Sequence, residues 1–147
     1  MLCEVEGFMN GQQFKKLYEK KCEPLMKKYD LRKIDLDVLF FLSTYKTCDT
    51  AKDIASYKCL SKAHVSKAID NLTSKNYLTS KTNQEDRRCM HLSITEYAKP
   101  VIEDIELVWK QINEILYYNI SGKEQQQFLH IMNRVLKNIN TVLEKDV

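Results

Sequence analysis

One short segment carries polar side chains whose types and spacing suit the binding of a polyanion. Residues 60–72, LSKAHVSKAIDNL, have the three- and four-residue apolar spacing of an amphipathic helix, with an inner stripe of Ala63, Val65, Ala68, Ile69 and Leu72. The side chains predicted to face outward are Lys62, His64, Ser66, Lys67 and Asn71. Lysine neutralises phosphates, and serine and histidine can donate hydrogen bonds to phosphates or base edges. The segment therefore predicts a helix that binds nucleic acid.

A charged hairpin follows that helix. Residues 77–81 and about 89–94 are predicted as its strands, the second because its apolar and polar side chains alternate. Asp86, Arg87 and Arg88 lie between the two strands. A helix with a basic face followed by a ribbon with a basic tip is what a winged helix needs to bind DNA. One element reads the major groove, and the other reaches the backbone or the minor groove.

Positive charge is concentrated in this helix and hairpin. Residues 58–88 contain seven basic and three acidic side chains, whereas residues 100–147 contain five basic and seven acidic ones. A polyanion-binding face would show this asymmetry, and so would an ordinary solvated basic surface. Charge alone leaves both interpretations open.

Three helices are predicted before the basic helix. The first covers about residues 11–29, and Pro24 should kink or break it because proline lacks an amide donor and crowds the preceding turn. The second begins with Asp35 as its N-cap and is apolar on most sides, so it should form the centre of the core. A short third helix has Thr50 as its N-cap and Asp53 at the capping-box position.

Local capping signals also set the remaining boundaries. Ser61 is the expected N-cap of the basic helix, and Asn76 should end it in the left-handed conformation. Thr95 is expected to cap a fifth helix, and Ser121 with Glu124 forms a capping box that opens the last one. The apolar stripe of the last helix comprises Phe128, Leu129, Met132, Val135, Leu136, Ile139, Val142 and Leu143.

Composition narrows the class of protein. A chain of 147 residues predicts one domain, and three Gly and two Pro disfavour all-β and doubly wound folds, which spend these residues on many turns. Neither a membrane-spanning apolar run nor a signal peptide is expected. Five scattered Cys without a CxxC pair suit a reducing cytoplasm.

Catalytic and metal-binding signals are absent from the sequence. It has no Gly-rich phosphate loop, nucleophile elbow or pair of carboxylates placed for acid–base chemistry, so we expect neither an enzyme nor a cofactor. His64, His91 and His130 lie in three different elements without metal-ligand spacing, and no metal site is predicted.

The order of these motifs resembles the MarR (multiple antibiotic resistance regulator) family of winged-helix regulators. The matching segments are HVSKAIDNLTSKNYL, NQEDRRCMHLSIT and the helix start at Thr95-Glu96, and the six-helix layout extends the resemblance over essentially the whole chain. The sequence departs from the family pattern at Asn76, where Gly is usual, at Asn83, where an acidic residue is common, and at Pro100 in the turn into the fifth helix.

The resemblance implies roles for individual residues. The part of the recognition helix that lies in the major groove matches Ser61, Lys62, Ala63, His64, Ser66 and Lys67. Arg87 matches the wing-tip arginine that enters the minor groove, and Asp86 matches the carboxylate that orients it. Arg88 and Lys81 match contacts to the DNA backbone.

The same resemblance implies an assembly and a mode of regulation. The chain is expected to form a single domain, 1–147, with a winged-helix DNA-binding lobe at 35–95 and dimerisation helices at 1–30 and 96–147. A homodimer would repress transcription from a pseudo-palindromic operator until a small aromatic or phenolic ligand, or an oxidant, releases it. No residue of the ligand site can be named from the sequence.

Two further questions stay open at this level. Some MarR-family members sense oxidants through a cysteine in the first helix, where Cys22 lies, but Cys22 also fits the apolar stripe of that helix, and a buried structural role is favoured. A winged helix used only for protein contacts, without sequence-specific DNA binding, is the alternative function.

Overall fold

A computed structural model describes residues 11–58, 60–82 and 90–144, which form six helices and one β-hairpin. The helices are α1 (Gln12–Tyr29), α2 (Lys33–Thr44), α3 (Ala51–Lys58), α4 (Lys62–Ser74), α5 (Lys99–Leu116) and α6 (Gly122–Leu143). The hairpin strands β1 (Leu78–Thr82) and β2 (Met90–Ile94) lie between α4 and α5. The predicted fold class, mainly helical with a small antiparallel hairpin, is confirmed.

Helix α1 continues through Pro24, so of the two predicted outcomes, a kink or a break, the break does not occur. Proline removes one helical hydrogen bond, but Pro24 lies on the exposed side of the helix, where water can hydrate the carbonyl that loses its partner. The opposite side buries Tyr18 and Cys22 against the core. The helix ends at Tyr29, and the next residue, Asp30, has a left-handed backbone with a φ of 51°.

Helix α2 begins two residues earlier than its predicted cap. Lys33 is its first residue, and Asp35 lies in the first turn, where its carboxylate accepts a 2.8 Å hydrogen bond from the backbone N–H of Arg32. The prediction that Asp35 is the N-cap was therefore wrong by three positions. The helix buries most of its length, as expected for the centre of the core, with Leu36, Val38, Leu39 and Phe41 at most 1% exposed.

The predicted caps of α3 and α4 are confirmed. Asp53 accepts hydrogen bonds from the backbone N–H and the hydroxyl of Thr50, and the Ser61 hydroxyl accepts one from the backbone N–H of His64. After α4, Asn76 has the expected left-handed backbone, with a φ of 61°.

The two strands pair antiparallel in the register Leu78↔Ile94 through Thr82↔Met90. Leu78 and Leu92 are buried, so one side of the hairpin packs on the core. The backbone N–H of Leu92 also donates to the carbonyl of Asp49 at 2.8 Å, which ties β2 to the chain segment before α3.

A short 3₁₀ turn, Glu96–Ala98, precedes α5, and this changes the role of Thr95. Its hydroxyl donates to the carbonyl of Asn76 at 2.6 Å and makes no cap hydrogen bond. Pro100 lies in the first turn of α5, where proline is tolerated because the first amide groups of a helix have no intrahelical acceptor. The inner face of α5 buries Val101, Ile105, Val108 and Ile112.

The chain divides into two compact units between Ile112 and Asn113. The second unit contains α6, which opens with the predicted capping box of Ser121 and Glu124. None of the described residues of α6 is buried, although its apolar stripe is continuous. Within the described ranges, no helix has the length and apolar character needed to cross a bilayer.

Candidate nucleic-acid interface

Helix α4 presents the predicted polar face to solvent. Lys62, His64, Ser66 and Lys67 are all exposed, while Val65, Ala68, Ile69 and Leu72 are buried beneath them. Ala63 is exposed as well, so its assignment to the inner stripe was wrong, and its assignment by resemblance to the outer face agrees with its position. The helix can therefore approach a ligand with this face without losing core contacts.

Ser61 and His64 interact at the N-terminus of α4. The Ser61 hydroxyl lies 2.8 Å from Nδ1 of His64, in addition to accepting from the His64 backbone N–H at 3.3 Å. This contact orients the imidazole and engages one of its two nitrogens. The other nitrogen, Nε2, supplies the remaining hydrogen-bonding capacity of the ring towards a phosphate or base.

A buried carboxylate joins α4 to the first turn of α2. Asp35 is fully buried and accepts hydrogen bonds from Nε and Nη2 of Arg32 at 3.0 and 2.8 Å and from the side-chain amide of Asn71 at 2.9 Å. Nη2 of Arg32 also donates to the carbonyl of Lys67 at 3.2 Å. The hydrogen bond to Asp35 raises the pKa of Arg32. We call Arg32, Asp35 and Asn71 the Asp35 brace.

Sequence patterns did not reveal this brace. Asn71 was expected to face outward, but it is only partly exposed and donates to Asp35. The i, i+3 spacing of Arg32 and Asp35 is a local signal for an ion pair at a helix start. The partner on α4 is 36 residues away in sequence, and no local spacing identifies it.

The described part of the hairpin carries one of the predicted basic contacts. Lys81 is exposed on β1, directly opposite His91 on β2. Asp86, Arg87 and Arg88 lie outside the described residues.

His91 anchors the hairpin to the segment before α3. Its Nδ1 lies 2.7 Å from a carboxylate oxygen of Asp49, and both side chains are partly exposed. An isolated bridge pairs the His91 and Thr50 backbones beside this contact. These contacts fix β2 of the hairpin to the segment that begins α3.

Cys22 lies in a polar network between α1 and α2. Tyr18 donates a 2.8 Å hydrogen bond to Asp37, and Lys33 contacts the other oxygen of Asp37 at 2.9 Å. Cys22 is fully buried beside Tyr18, and burial raises the pKa of its thiol. Burial, followed by the charge of Asp37, raises the pKa of Tyr18. A buried thiol with a raised pKa holds little of the reactive thiolate, which favours the structural interpretation of Cys22.

A cavity of about 590 Å³ lies between α2, β2 and α5. The residues that line it include the apolar Leu42, Leu92, Ile94 and Ile102, the acidic Asp49, Glu96, Glu103 and Glu106, and the basic Lys46 and Lys99. The volume is sufficient for a small organic molecule. Across residues 11–58, 60–82 and 90–144, no three His, Cys, Asp or Glu side chains are grouped to hold a metal ion.

The fold matches solved structures of MarR-type regulators. A MarR-family regulator from Silicibacter pomeroyi is 17% identical, with a TM-score of 0.78 over 95% of this chain and 92% of that chain. Staphylococcus aureus MepR, solved with DNA, is 17% identical, with a TM-score of 0.72 over 86% and 93%. S. aureus MarR, solved with salicylate and kanamycin, is 19% identical, with a TM-score of 0.74 over 96% and 95%.

At these identities, the structural matches establish the winged-helix fold. The family model described as "Transcriptional regulator SarA/Rot" matches residues 20–105, which is more than half of the 147 residues. The matched segment includes α2 to α4 and the hairpin. The members of this family are transcriptional regulators and not enzymes. The chain therefore belongs to the SarA/Rot family of winged-helix, DNA-binding transcriptional regulators.

Proposed function

We propose that this chain is a homodimeric, sequence-specific repressor that reads the major groove with α4. The observation that carries the proposal is the division of α4 into a buried apolar face and an exposed face of Ser, Lys and His side chains. The contacts assigned to it are Ser61, Lys62, Ala63, His64, Ser66 and Lys67. Lys62 and Lys67 would neutralise phosphates, while Ser66 and His64 have donors for base edges or phosphates.

The hairpin is the proposed second contact. Lys81 is exposed on β1 and would reach the DNA backbone. Arg87, oriented by Asp86, would enter the minor groove, and Arg88 would contact the backbone. These three roles come from the resemblance of NQEDRR to the MarR wing.

We propose that a second copy of the chain packs against the apolar stripe of α6. Its stripe includes Phe128, Leu129, Leu136 and Val142, which are 42%, 51%, 48% and 60% exposed in the single chain. An apolar stripe of this length on the surface is typical of an interface rather than of a solvated helix. Two copies related by a twofold axis would present two α4 helices to a pseudo-palindrome.

We propose that a small ligand releases the dimer from DNA. The ligand would bind preferentially to a form of the dimer in which the spacing of the two α4 helices does not match the operator. The cavity between α2, β2 and α5 is the candidate site. Acidic residues outnumber basic ones around it, which favours a neutral phenol over the anion of an aromatic acid. The proposal places the protein in the cytoplasm with its DNA. Because the thiol of Cys22 is buried, we assign this residue a role in packing the core and not in sensing oxidants.

Selection of bound sequences from a random duplex pool tests the DNA-binding function. The expected result is one enriched pseudo-palindrome with half-sites about 10 base pairs apart. Repeating the selection with a neutral phenol, with salicylate and with peroxide identifies the class of signal that reduces recovery. Binding without enrichment of any sequence would contradict sequence-specific recognition, and no retention of duplex would favour a protein-interaction module instead.

A further inference from the structure

We propose that Asp35 is a positioning residue for DNA recognition, because its buried carboxylate fixes the placement of α4 on α2. The inference rests on the proposed function and deepens it by naming what holds the recognition helix in its orientation. Asp35 itself is fully buried and lies on the core side of α4, so it acts through Arg32 and Asn71.

The Asp35 brace holds α4 at two points on the same face. Asn71 donates directly to Asp35 at 2.9 Å, and the carbonyl of Lys67 accepts from Arg32 at 3.2 Å while Arg32 is itself held by Asp35. Lys67 and Asn71 are four residues apart, so the two points are separated by one helical turn, about 6 Å along the axis. Two such points resist both sliding of α4 and rotation about its axis.

Apolar packing supplies the affinity between the helices but little directional control. Val65, Ala68 and Leu72 are fully buried on the inner face of α4, and contacts between such side chains depend on area rather than angle. Hydrogen bonds to a buried carboxylate depend on distance and angle. We therefore assign the rotational setting of α4 to the brace and its stability to the apolar face.

The rotational setting determines which side chains reach the bases. Lys67 links the Asp35 brace to the exposed polar face of α4. Its backbone carbonyl accepts a hydrogen bond from Arg32, and its side chain lies on the exposed face. A small rotation of α4 would move Ser66 and Lys67 away from hydrogen-bond distance to a base edge. It would leave the positive charge near the phosphates, so specific binding should suffer more than non-specific binding.

The variant Asn71→Leu tests the brace while keeping the buried charge of Asp35 paired with Arg32. Thr73→Leu is the matched control, because Thr73 is an exposed residue of the same helix outside the brace. Full-length variants are compared by the ratio of affinities for the selected duplex and a scrambled duplex. We expect Asn71→Leu to lower this ratio about tenfold, the size of one lost base contact, and Thr73→Leu to leave it unchanged.

A rescue variant separates positioning from general destabilisation. The double variant D35N/N71D exchanges the two groups and so keeps one amide–carboxylate hydrogen bond between α2 and α4. Its ratio of specific to scrambled affinity should therefore be higher than that of Asn71→Leu. Hydrogen exchange of the DNA-free chain gives a readout that does not require DNA. Amides of α4 should exchange faster in Asn71→Leu than in Thr73→Leu, while those of α2 stay protected.

The outcomes are distinguishable. A wild-type ratio and wild-type exchange in Asn71→Leu would overturn the positioning role of Asp35, as would an equal loss of specific and non-specific binding. If the wild-type chain itself fails to discriminate between the duplexes, the proposed function fails, and hydrogen exchange alone then decides whether the brace holds α4.

Discussion

The carboxylate of Asp104 on α5 accepts a 2.7 Å hydrogen bond from the hydroxyl of Tyr29 at the end of α1. Lys28 contacts the same oxygen at 2.7 Å, so two consecutive residues of α1 bind one carboxylate. These contacts, Lys28 first and Tyr29 second, lower the pKa of Asp104 below its ordinary value of 3.8. The Asp104 hydrogen bond also raises the pKa of Lys28 above 10.5.

Asp104→Asn should lower stability only in a defined pH window. A carboxyl with a lowered pKa in the folded state stabilises above its unfolded pKa of 3.8, and this contribution is lost as pH falls through the folded value. The raised pKa of Lys28 sets the alkaline limit, because its contribution is lost as pH rises above 10.5. Urea midpoints of wild type and variant should differ slightly at pH 7 and begin to converge as the pH falls below about 4. A difference that stays constant into acid would show that the charge of Asp104 is not involved.

Ser61→Ala should destabilise the chain by about 1 kcal/mol, because it removes the acceptor for the backbone N–H of His64, one of the free amide groups in the first turn of α4. The variant also releases the His64 ring from its 2.8 Å contact. Urea denaturation measures the first effect. Ser66→Ala is the control, since Ser66 is exposed within the same helix and does not cap it. Equal stability of the two variants would mean that the cap of α4 contributes nothing.

Local signals explain which parts of the fold could be predicted. At both Ser61 and Ser121, the serine hydroxyl accepts from a backbone N–H three residues further along the chain, and both caps were predicted from spacing alone. Thr95 has the residue type of a cap, but its hydroxyl is taken by Asn76, 19 residues away. Asp35 likewise has a long-range partner in Asn71. A residue type shows what a side chain can do, whereas its partner depends on the packed structure.

The exposed polar face of α4 was predictable for the same reason. Its members alternate with buried residues at helical spacing, so Lys62, His64 and Lys67 were placed correctly from periodicity. The error at Ala63 has a physical cause, because alanine is small enough to suit either face and periodicity alone cannot place it. The groups that hold the helix in place come from α2, and a pattern within α4 contains no information about them.

Cys22 should react slowly with alkylating reagents in the folded chain. The thiol is fully buried, and burial raises its pKa, so both access and the thiolate fraction are low at neutral pH. Mass spectrometry after a timed iodoacetamide pulse should find Cys22 protected and Cys48, which is partly exposed, modified faster. Denaturant should remove the difference. Rapid modification of Cys22 at pH 7 in the folded chain would instead support an oxidant-sensing role.

Lys67→Ala should weaken DNA binding in a salt-dependent way. Each neutralised phosphate contributes about 0.9 to the slope of log affinity against log salt, so losing one contact should make the slope shallower by about 1. Arg87→Ala should act similarly if the wing contacts DNA. Lys20→Ala, which removes an exposed charge from α1, is the control and should leave the slope unchanged. An unaltered slope in Lys67→Ala and Arg87→Ala would contradict the assignment of both residues to the DNA interface.

Leu136→Glu should convert the proposed dimer to a monomer. Leu136 lies in the apolar stripe of α6 and is 48% exposed in the single chain, so the new charge should not disturb the fold of one chain. At an interface between two copies it would meet apolar side chains, and burying an unpaired carboxylate is costly. Analytical ultracentrifugation should find twice the chain mass for wild type and the single mass for the variant, with circular dichroism unchanged. Gln126→Glu adds the same charge to the polar side of α6 and should remain dimeric. Since a pseudo-palindrome needs two linked α4 helices, Leu136→Glu should also lose operator affinity while its α4 remains intact. If Leu136→Glu stays dimeric, the apolar stripe of α6 is not the interface.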